Sequence, residues 1–110
     1  MDYKLASSTW DGKELAAIDN VVKSGMFSMV ENVKEFENDF SKFFGVKYSI
    51  MVNSGSSANL LAIASLFFRK KNPLKRGDEV IVPTVSWSTT YTPLQQYGLK
   101  LKFVDVNLKT

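Results

Sequence analysis

Apolar residues recur at helical spacing soon after the start of the chain. Asp11 followed by Glu14 forms a variant of the capping box, in which each side chain satisfies a backbone N–H group at a helix start. Gly25 is suited to the exit, because glycine adopts the left-handed conformation that ends many helices. The apolar positions in between are Leu15, Ile18 and Val22. This pattern predicts a helix with one buried face.

A second helix is predicted from near Asn32 to Gly45, where a stripe of apolar positions alternates with charged ones. The stripe consists of Val33, Phe36, Phe40, Phe43 and Phe44. Because phenylalanine at helical spacing is typical of a buried face, we predict that this stripe belongs to the core.

The pattern then changes to short apolar strands that alternate with helices. "YSIMV" at 48–52 predicts a buried strand, and the apolar segment 58–68 predicts a helix packed on a sheet. "EVIVP" at 79–83 predicts a second strand, which Pro83 stops. A loop then leads into a helix that Gly98 ends, and "LKLKFVDV" predicts a third strand.

Within the helix before Gly98, the position of Pro93 suits the first turn, where the missing N–H group of proline costs nothing.

Strand followed by helix, repeated along the chain, predicts the α/β class. Such a sheet usually needs more than 110 residues to cover both faces, so we expect a fragment with an incomplete sheet.

Composition narrows the chemistry. The chain has no cysteine and no histidine, which removes disulfides, thiolate metal sites and the commonest acid/base side chain. We therefore expect no metal. The start lacks a signal-peptide pattern, and no stretch approaches the about 20 apolar residues of a membrane span. The default expectation is a cytoplasmic protein without membrane insertion.

The net charge is +3, and one basic cluster could be interpreted as a phosphate footprint for nucleic acid. It comprises Arg69, Lys70, Lys71, Lys75 and Arg76. We favour the simpler interpretation that cations gather at a helix C-terminus, where the helix dipole attracts them. No nucleic-acid partner is expected.

A run of small hydroxyl residues, "NSGSSAN", lies between the strand at 48–52 and the following helix. Backbone N–H groups and the positive end of the helix dipole converge at such a turn. Gly55 allows close approach of a ligand, and Ser56 and Ser57 add hydroxyl donors, which together suit a phosphate group. The alternative is that Ser56 or Ser57 merely caps the helix.

"PTVSWSTTY" lies at the carboxyl end of the next strand, the edge where open α/β sheets bind ligands. Among small hydroxyl residues, Trp87 can offer its flat face to an aromatic ring. The alternative is a tryptophan of the core or of an interface. A phosphate cradle and an aromatic platform together suggest a cofactor with a phosphate arm and an aromatic ring.

The two stretches, together with "FENDFSKFFGVKYSIMV" and "GDEVIVP", resemble the N-terminal part of the DegT/DnrJ/StrS family of pyridoxal-phosphate sugar aminotransferases. The resemblance implies the large cofactor-binding domain of the aspartate aminotransferase fold (fold type I). Residues 1–45 would form N-terminal helices and 46–110 the start of the α/β sheet, with the remainder absent. "LASSTWD" and "VSWSTTYTPLQQYG" resemble most the branch that deoxygenates C3 of a nucleotide-linked 4-keto-6-deoxy sugar.

By this resemblance, Gly55, Ser56 and Ser57 bind the phosphate of pyridoxal or pyridoxamine 5'-phosphate, and Trp87 stacks on its ring. The loop with Met26, Phe27 and Ser28 would lie near the sugar, although Met26, Phe27 and Met29 could instead serve packing. The family's Schiff-base lysine, replaced by histidine in the dehydratase branch, matches no residue here. No catalytic residue is therefore assigned in these 110 residues.

For the parent enzyme, the resemblance implies a homodimer that acts on a nucleotide sugar in surface polysaccharide biosynthesis. A 3-dehydratase is the first expectation and a sugar aminotransferase the alternative. A non-catalytic phosphate-binding module is the competing class, because the chain lacks an acid/base constellation. The 110 residues alone are expected to be inactive and marginally stable.

Overall fold

A computed structural model describes residues 6–29 and 31–109. The described residues fall into two compact units, a first unit that ends at Met51 and a second unit that begins at Val52. In chain order, the elements are α1 (Gly12–Ser24), α2 (Glu31–Phe44), α3 (Gly55–Phe67), β1 (Glu79–Pro83), α4 (Ser88–Gln96) and β2 (Lys100–Val104).

Helix α1 begins and ends where the sequence predicts. The N–H of Lys13 donates to the carboxylate of Asp11 at 2.6 Å, and that of Asp11 donates to Glu14 Oε2 at 2.8 Å. Gly25 has φ of 66°, the left-handed conformation expected of a helix exit. The prediction of a buried face is wrong, however, because none of the residues in α1 is buried.

The bounds of α2 also agree with the prediction, but its aromatic stripe is not core. Phe36 and Phe40 lie 5.6 Å apart between ring centroids, and Phe40 and Phe44 lie 4.6 Å apart. These three side chains are 51%, 44% and 58% exposed. The only buried residue of α2 is Ser41, whose hydroxyl donates to that of Ser49 at 2.9 Å. A periodic pattern identifies the face that favours burial, while burial itself requires another element to cover it.

Residues 48–52 form no strand in the described structure, so that prediction is wrong. The segment is instead held by a side chain, since the N–H of Met51 donates to Glu37 Oε1 at 2.7 Å. A strand is defined by backbone hydrogen bonds to a neighbour, and the described sheet contains only β1 and β2. An apolar run predicts a strand only where such a neighbour is present.

The second unit contains a parallel pair of strands linked by a helix. Strands β1 and β2 pair in register from Glu79 with Lys100 to Pro83 with Val104, and α4 makes the crossover. The predicted strands at 79–83 and 99–106 and the α/β class are confirmed. Because parallel strands require a crossover connection, this unit is a small βαβ motif with α3 in front of it in the chain.

The core lies where α4 packs onto the sheet. Val82, Leu94 and Leu99 are 3%, 5% and 6% exposed, and Ile63 and Phe67 of α3 pack against them. Each of the three buried residues comes from a different part of the βαβ motif. Their burial therefore holds the end of β1 and the helix that follows it at a defined distance.

Candidate functional site

Helix α3 begins at the hydroxyl-rich loop, and Ser54 is its N-cap. The N–H of Ser57 donates to Ser54 Oγ at 3.2 Å, and Ser57 Oγ donates to Asn53 Oδ1 at 2.6 Å. The alternative that Ser56 or Ser57 caps the helix is therefore wrong. None of these bonds uses the N–H or the hydroxyl of Ser56. The sequence carried this signal, since Ser54 precedes the first helical residue and lies three residues before Ser57.

The first turn of α3 offers donors to an anion. The N–H groups of Gly55 and Ser56 belong to the turn that an α-helix leaves without intrahelical partners. No acidic residue lies in this turn, so the positive end of the helix dipole is not neutralised there. A Cβ atom added to Gly55 would meet no atom within 4 Å. Packing within the described chain therefore does not require glycine, whereas close approach of a ligand would.

Trp87 is the N-cap residue of α4, and its side chain makes no capping hydrogen bond. The ring is 76% exposed. Its backbone carbonyl accepts from the N–H of Thr90 at 2.9 Å, which ties the main chain to the helix start. The alternative of a core tryptophan is thus wrong for the described chain. An exposed ring on an anchored backbone can stack on a flat ligand without rearrangement.

The loop that carries Trp87 is held at its base by Tyr91. The Tyr91 hydroxyl lies 2.7 Å from the carbonyl oxygen of Pro83 and 3.3 Å from that of Thr84. Thr84 Oγ1 donates to the carbonyl of Val104 at 2.6 Å, which joins the loop to β2. Sequence reasoning missed both residues. The available signal was a tyrosine one helical turn after Trp87, since buried phenol groups usually find a partner.

A cleft of about 170 Å³ separates the first turn of α3 from α4. Hydroxyl groups dominate its polar lining, with Ser56 and Ser57 on one side and Thr89 and Thr92 on the other. Trp87 precedes Thr89 by two residues. The structure therefore brings together the two stretches that sequence analysis selected independently, and it adds two threonines that the sequence analysis did not assign.

The predicted sugar-binding residues lie in the first unit, between α1 and α2. Met26 and Ser28 line a cleft of about 190 Å³ together with Ser24, Glu31 and Asn32. Met26 is 55% and Phe27 75% exposed. The side chains of Met26 and Phe27 are therefore accessible within the described chain.

The described residues 6–29 and 31–109 can also be compared with the requirements of a metal site and of a membrane span. These residues contain no group of three or more potential metal ligands. Across the same ranges, no helix has the length and apolar character needed to cross a membrane. The basic cluster begins at Arg69, directly after the C-cap Phe68 of α3, which agrees with the interpretation as charge at a helix C-terminus, although the last turn itself holds no cation.

Comparison with known proteins identifies the family. Residues 8–110 match the DegT/DnrJ/EryC1/StrS aminotransferase family. GDP-4-keto-6-deoxy-D-mannose 3-dehydratase of Yersinia pseudotuberculosis is 64% identical over 110 residues, which are 100% of this chain and 28% of that protein. The chain thus spans little more than a quarter of the length of this relative.

Two solved structures have the same fold over almost the whole chain. The Escherichia coli GDP-4-keto-6-deoxy-D-mannose 3-dehydratase with bound hydrated PLP superposes with a TM-score of 0.88 at 64% identity, covering 96% of this chain and 27% of that one. A mutant of GDP-4-keto-6-deoxymannose 3-dehydratase with bound GDP-perosamine gives a TM-score of 0.87 at 64% identity, with 96% and 28% coverage. These likenesses confirm the predicted fold. The chain belongs to the DegT/DnrJ/EryC1/StrS aminotransferase family.

Proposed function

We propose that this protein removes the C3 hydroxyl from a nucleotide-linked 4-keto-6-deoxy sugar, with pyridoxal or pyridoxamine 5'-phosphate as cofactor. The observation that carries the proposal is the 64% identity to a 3-dehydratase, which extends over all 110 residues. The reaction would contribute a deoxysugar to surface polysaccharide biosynthesis in the cytoplasm. The proposed assembly is a homodimer, with 1–45 as N-terminal helices and 46–110 as the start of the large domain.

The donor set of the second unit fits the cofactor. A phosphate group requires several donors in a small space, and the N–H groups of Gly55 and Ser56 and the Ser56 hydroxyl converge at one helix end. Ser57 also lines the cleft beside this helix end, and its hydroxyl donates to Asn53 Oδ1. An aromatic ring requires a flat apolar surface, which Trp87 offers. The residues present therefore fit both parts of the ligand.

Each residue of the proposed site contributes binding or orientation. The first turn of α3 would neutralise phosphate charge and set the position of the phosphate arm. Trp87 would cover one face of the ring and exclude water from it. Met26, Phe27 and Ser28 are proposed to lie near the sugar. When bound, the cofactor supplies an electron sink, and the group that moves protons is assigned to no residue in this chain.

Two other functions are compatible with the same residues. A sugar aminotransferase would use the same phosphate cradle and aromatic platform, since the two reactions differ in whether nitrogen stays on the sugar. A non-catalytic phosphate-binding module would need only the first turn of α3. The dehydratase is favoured because the relative that is 64% identical over the whole chain carries that name.

The test uses the full-length protein. It is incubated with the cofactor, L-glutamate and GDP-4-keto-6-deoxy-mannose, and the sugar products are analysed by mass spectrometry. A product that has lost the C3 oxygen and gained no nitrogen supports the dehydratase proposal. An amino sugar as product would instead support the aminotransferase. Absence of both products, together with no cofactor absorbance band after dialysis, would overturn the enzyme proposal.

A further inference from the structure

Helix α4 contains a break in its hydrogen bonding that the sequence alone did not place correctly. Pro93 lies inside Ser88–Gln96 and beyond the first turn, contrary to the prediction. Proline has no N–H group, so the carbonyl four residues earlier, that of Thr89, loses its regular intrahelical donor. This carbonyl lies at the solvent-accessible surface of the described chain, where it can accept from water or from another partner.

That partner comes from α3. Asn59 Nδ2 donates to the carbonyl oxygen of Thr89 at 3.4 Å. Asn59 lies three residues after Ser56, which places the two on neighbouring positions of one helix face. Thr89 lies two residues after Trp87 and lines the hydroxyl cleft together with Ser56. This hydrogen bond therefore joins the start of α3 to the start of α4.

The two helices that it joins carry the two halves of the proposed cofactor site. Apolar contacts also hold α3 and α4 together, since Ile63 and Phe67 pack against the cluster that contains Leu94, but such contacts are not directional. A hydrogen bond to a defined carbonyl adds a directional contact, which favours one arrangement of the two helices. The distance between the phosphate donors and the ring of Trp87 depends on that arrangement, and a small displacement weakens a site that must bind both ends of one ligand.

We infer that Asn59 is a positioning residue for the cofactor. Its hydrogen bond to the Thr89 carbonyl, which Pro93 leaves without a helical donor, fixes the first turn of α3 relative to Trp87. The inference rests on the proposed function, since it concerns the same site. It predicts two separable consequences of losing the Asn59 amide. One is a small loss of stability from the missing hydrogen bond, and the other is a loss of cofactor affinity and order.

The experiment compares full-length variants in a Trp10→Phe background, which leaves Trp87 as the only tryptophan of residues 1–110. Asn59→Leu removes the amide at similar size and without adding charge, and Asn59→Gln retains a donor. The matched control is Asn20→Leu, a similar change at an exposed position of α1. Pyridoxal 5'-phosphate is the probe, followed by the circular dichroism of its absorbance band and by quenching of tryptophan fluorescence.

We expect Asn59→Leu to weaken binding of pyridoxal 5'-phosphate about tenfold and to reduce the circular dichroism of the bound cofactor. Asn59→Gln should recover part of both signals, and Asn20→Leu should match the parent. Pro93→Ala restores an N–H group for Thr89 within α4, so the stability cost of Asn59→Leu should shrink in that background. The cofactor defect should persist, because the link between the helices is still missing.

The inference is overturned if Asn59→Leu binds the cofactor with unchanged affinity and circular dichroism while the parent binds normally. It is also overturned if Asn20→Leu weakens cofactor binding as much as Asn59→Leu does. The same holds if the double variant Asn59→Leu/Pro93→Ala binds the cofactor as tightly as the parent. Failure of the proposed function gives a different result, since the parent itself would then bind no cofactor. In that case, the positioning role fails with it. Should Pro93→Ala not fold, the comparison of Asn59→Leu, Asn59→Gln and Asn20→Leu remains decisive.

Discussion

The hydroxyl of Tyr91 donates to the carbonyl oxygen of Pro83 at 2.7 Å and thereby fastens α4 to the end of β1. The ring of Tyr91 packs edge-on against Phe103 of β2, with the centroids 5.6 Å apart. One side chain therefore contacts both strands and closes the loop 84–87 at its base. Because Trp87 ends this loop, the placement of this exposed tryptophan depends on Tyr91 at the base of the loop.

Replacement of Tyr91 by phenylalanine tests that dependence. Tyr91→Phe keeps the ring and its packing but removes the donor to Pro83, so the free energy of unfolding should fall by about 1 kcal/mol. Urea denaturation of the full-length protein measures this change. The control is Tyr48→Phe, since Tyr48 is 76% exposed. Equal stability of the two variants would show that the Tyr91 hydroxyl does not hold the loop.

Trp87 should contribute to ligand binding and little to stability. Trp87→Ala removes a ring that is 76% exposed, so the free energy of unfolding should stay within about 0.5 kcal/mol of the parent value. Affinity for pyridoxal 5'-phosphate should fall about tenfold, because ring stacking is lost. Equilibrium dialysis measures the affinity. Trp10, which is 64% exposed, provides the control through Trp10→Ala. Equal affinities in both variants would exclude Trp87 from the site.

Ser54 and Ser56 should separate capping from binding. Ser54→Ala removes the N-cap acceptor of α3 and should lower the free energy of unfolding by about 1 kcal/mol. Ser56→Ala should leave stability nearly unchanged, because the Ser56 hydroxyl takes no part in the capping bonds. Only Ser56→Ala should weaken binding of the phosphorylated cofactor at full stability. Thermal unfolding and cofactor titration of both variants measure these two effects. A loss of stability in Ser56→Ala would contradict the expected separation.

The 110 residues expressed alone should self-associate. The aromatic side chains Phe36, Phe40 and Phe44 are about half exposed, and a two-stranded sheet is a small structure to hold a core together. Sedimentation velocity should therefore detect species larger than a monomer, and thermal unfolding should be broad. Sharp cooperative melting of a monodisperse monomer would contradict this expectation.

Local chemistry made several elements predictable. The capping box of Asp11 and Glu14 requires contacts between residues three apart, and Gly25 supplies a conformation that other residues rarely adopt. The β-branched run before Pro83 likewise identified β1 correctly. Each of these signals depends on a few neighbouring residues, so it can be recognised without knowledge of the rest of the chain.

Burial could not be predicted in the same way. The stripe of Phe36, Phe40 and Phe44 is periodic but exposed, and the apolar run 48–52 is no strand in the described structure. In both cases, the sequence shows what would be favourable if a partner were present. Whether an apolar face is covered or a strand is paired depends on distant residues, which no local pattern contains.

For the candidate site, the sequence by itself selected the candidate ligand-binding groups: a glycine and hydroxyls at a helix start, and a tryptophan after a strand. The family resemblance was likewise carried by the residues themselves. Only the tertiary structure decided that Tyr91 closes the loop of Trp87 and that Asn59 reaches the carbonyl left open by Pro93. Both contacts join residues on different elements, so they exist only once the helices and strands have packed.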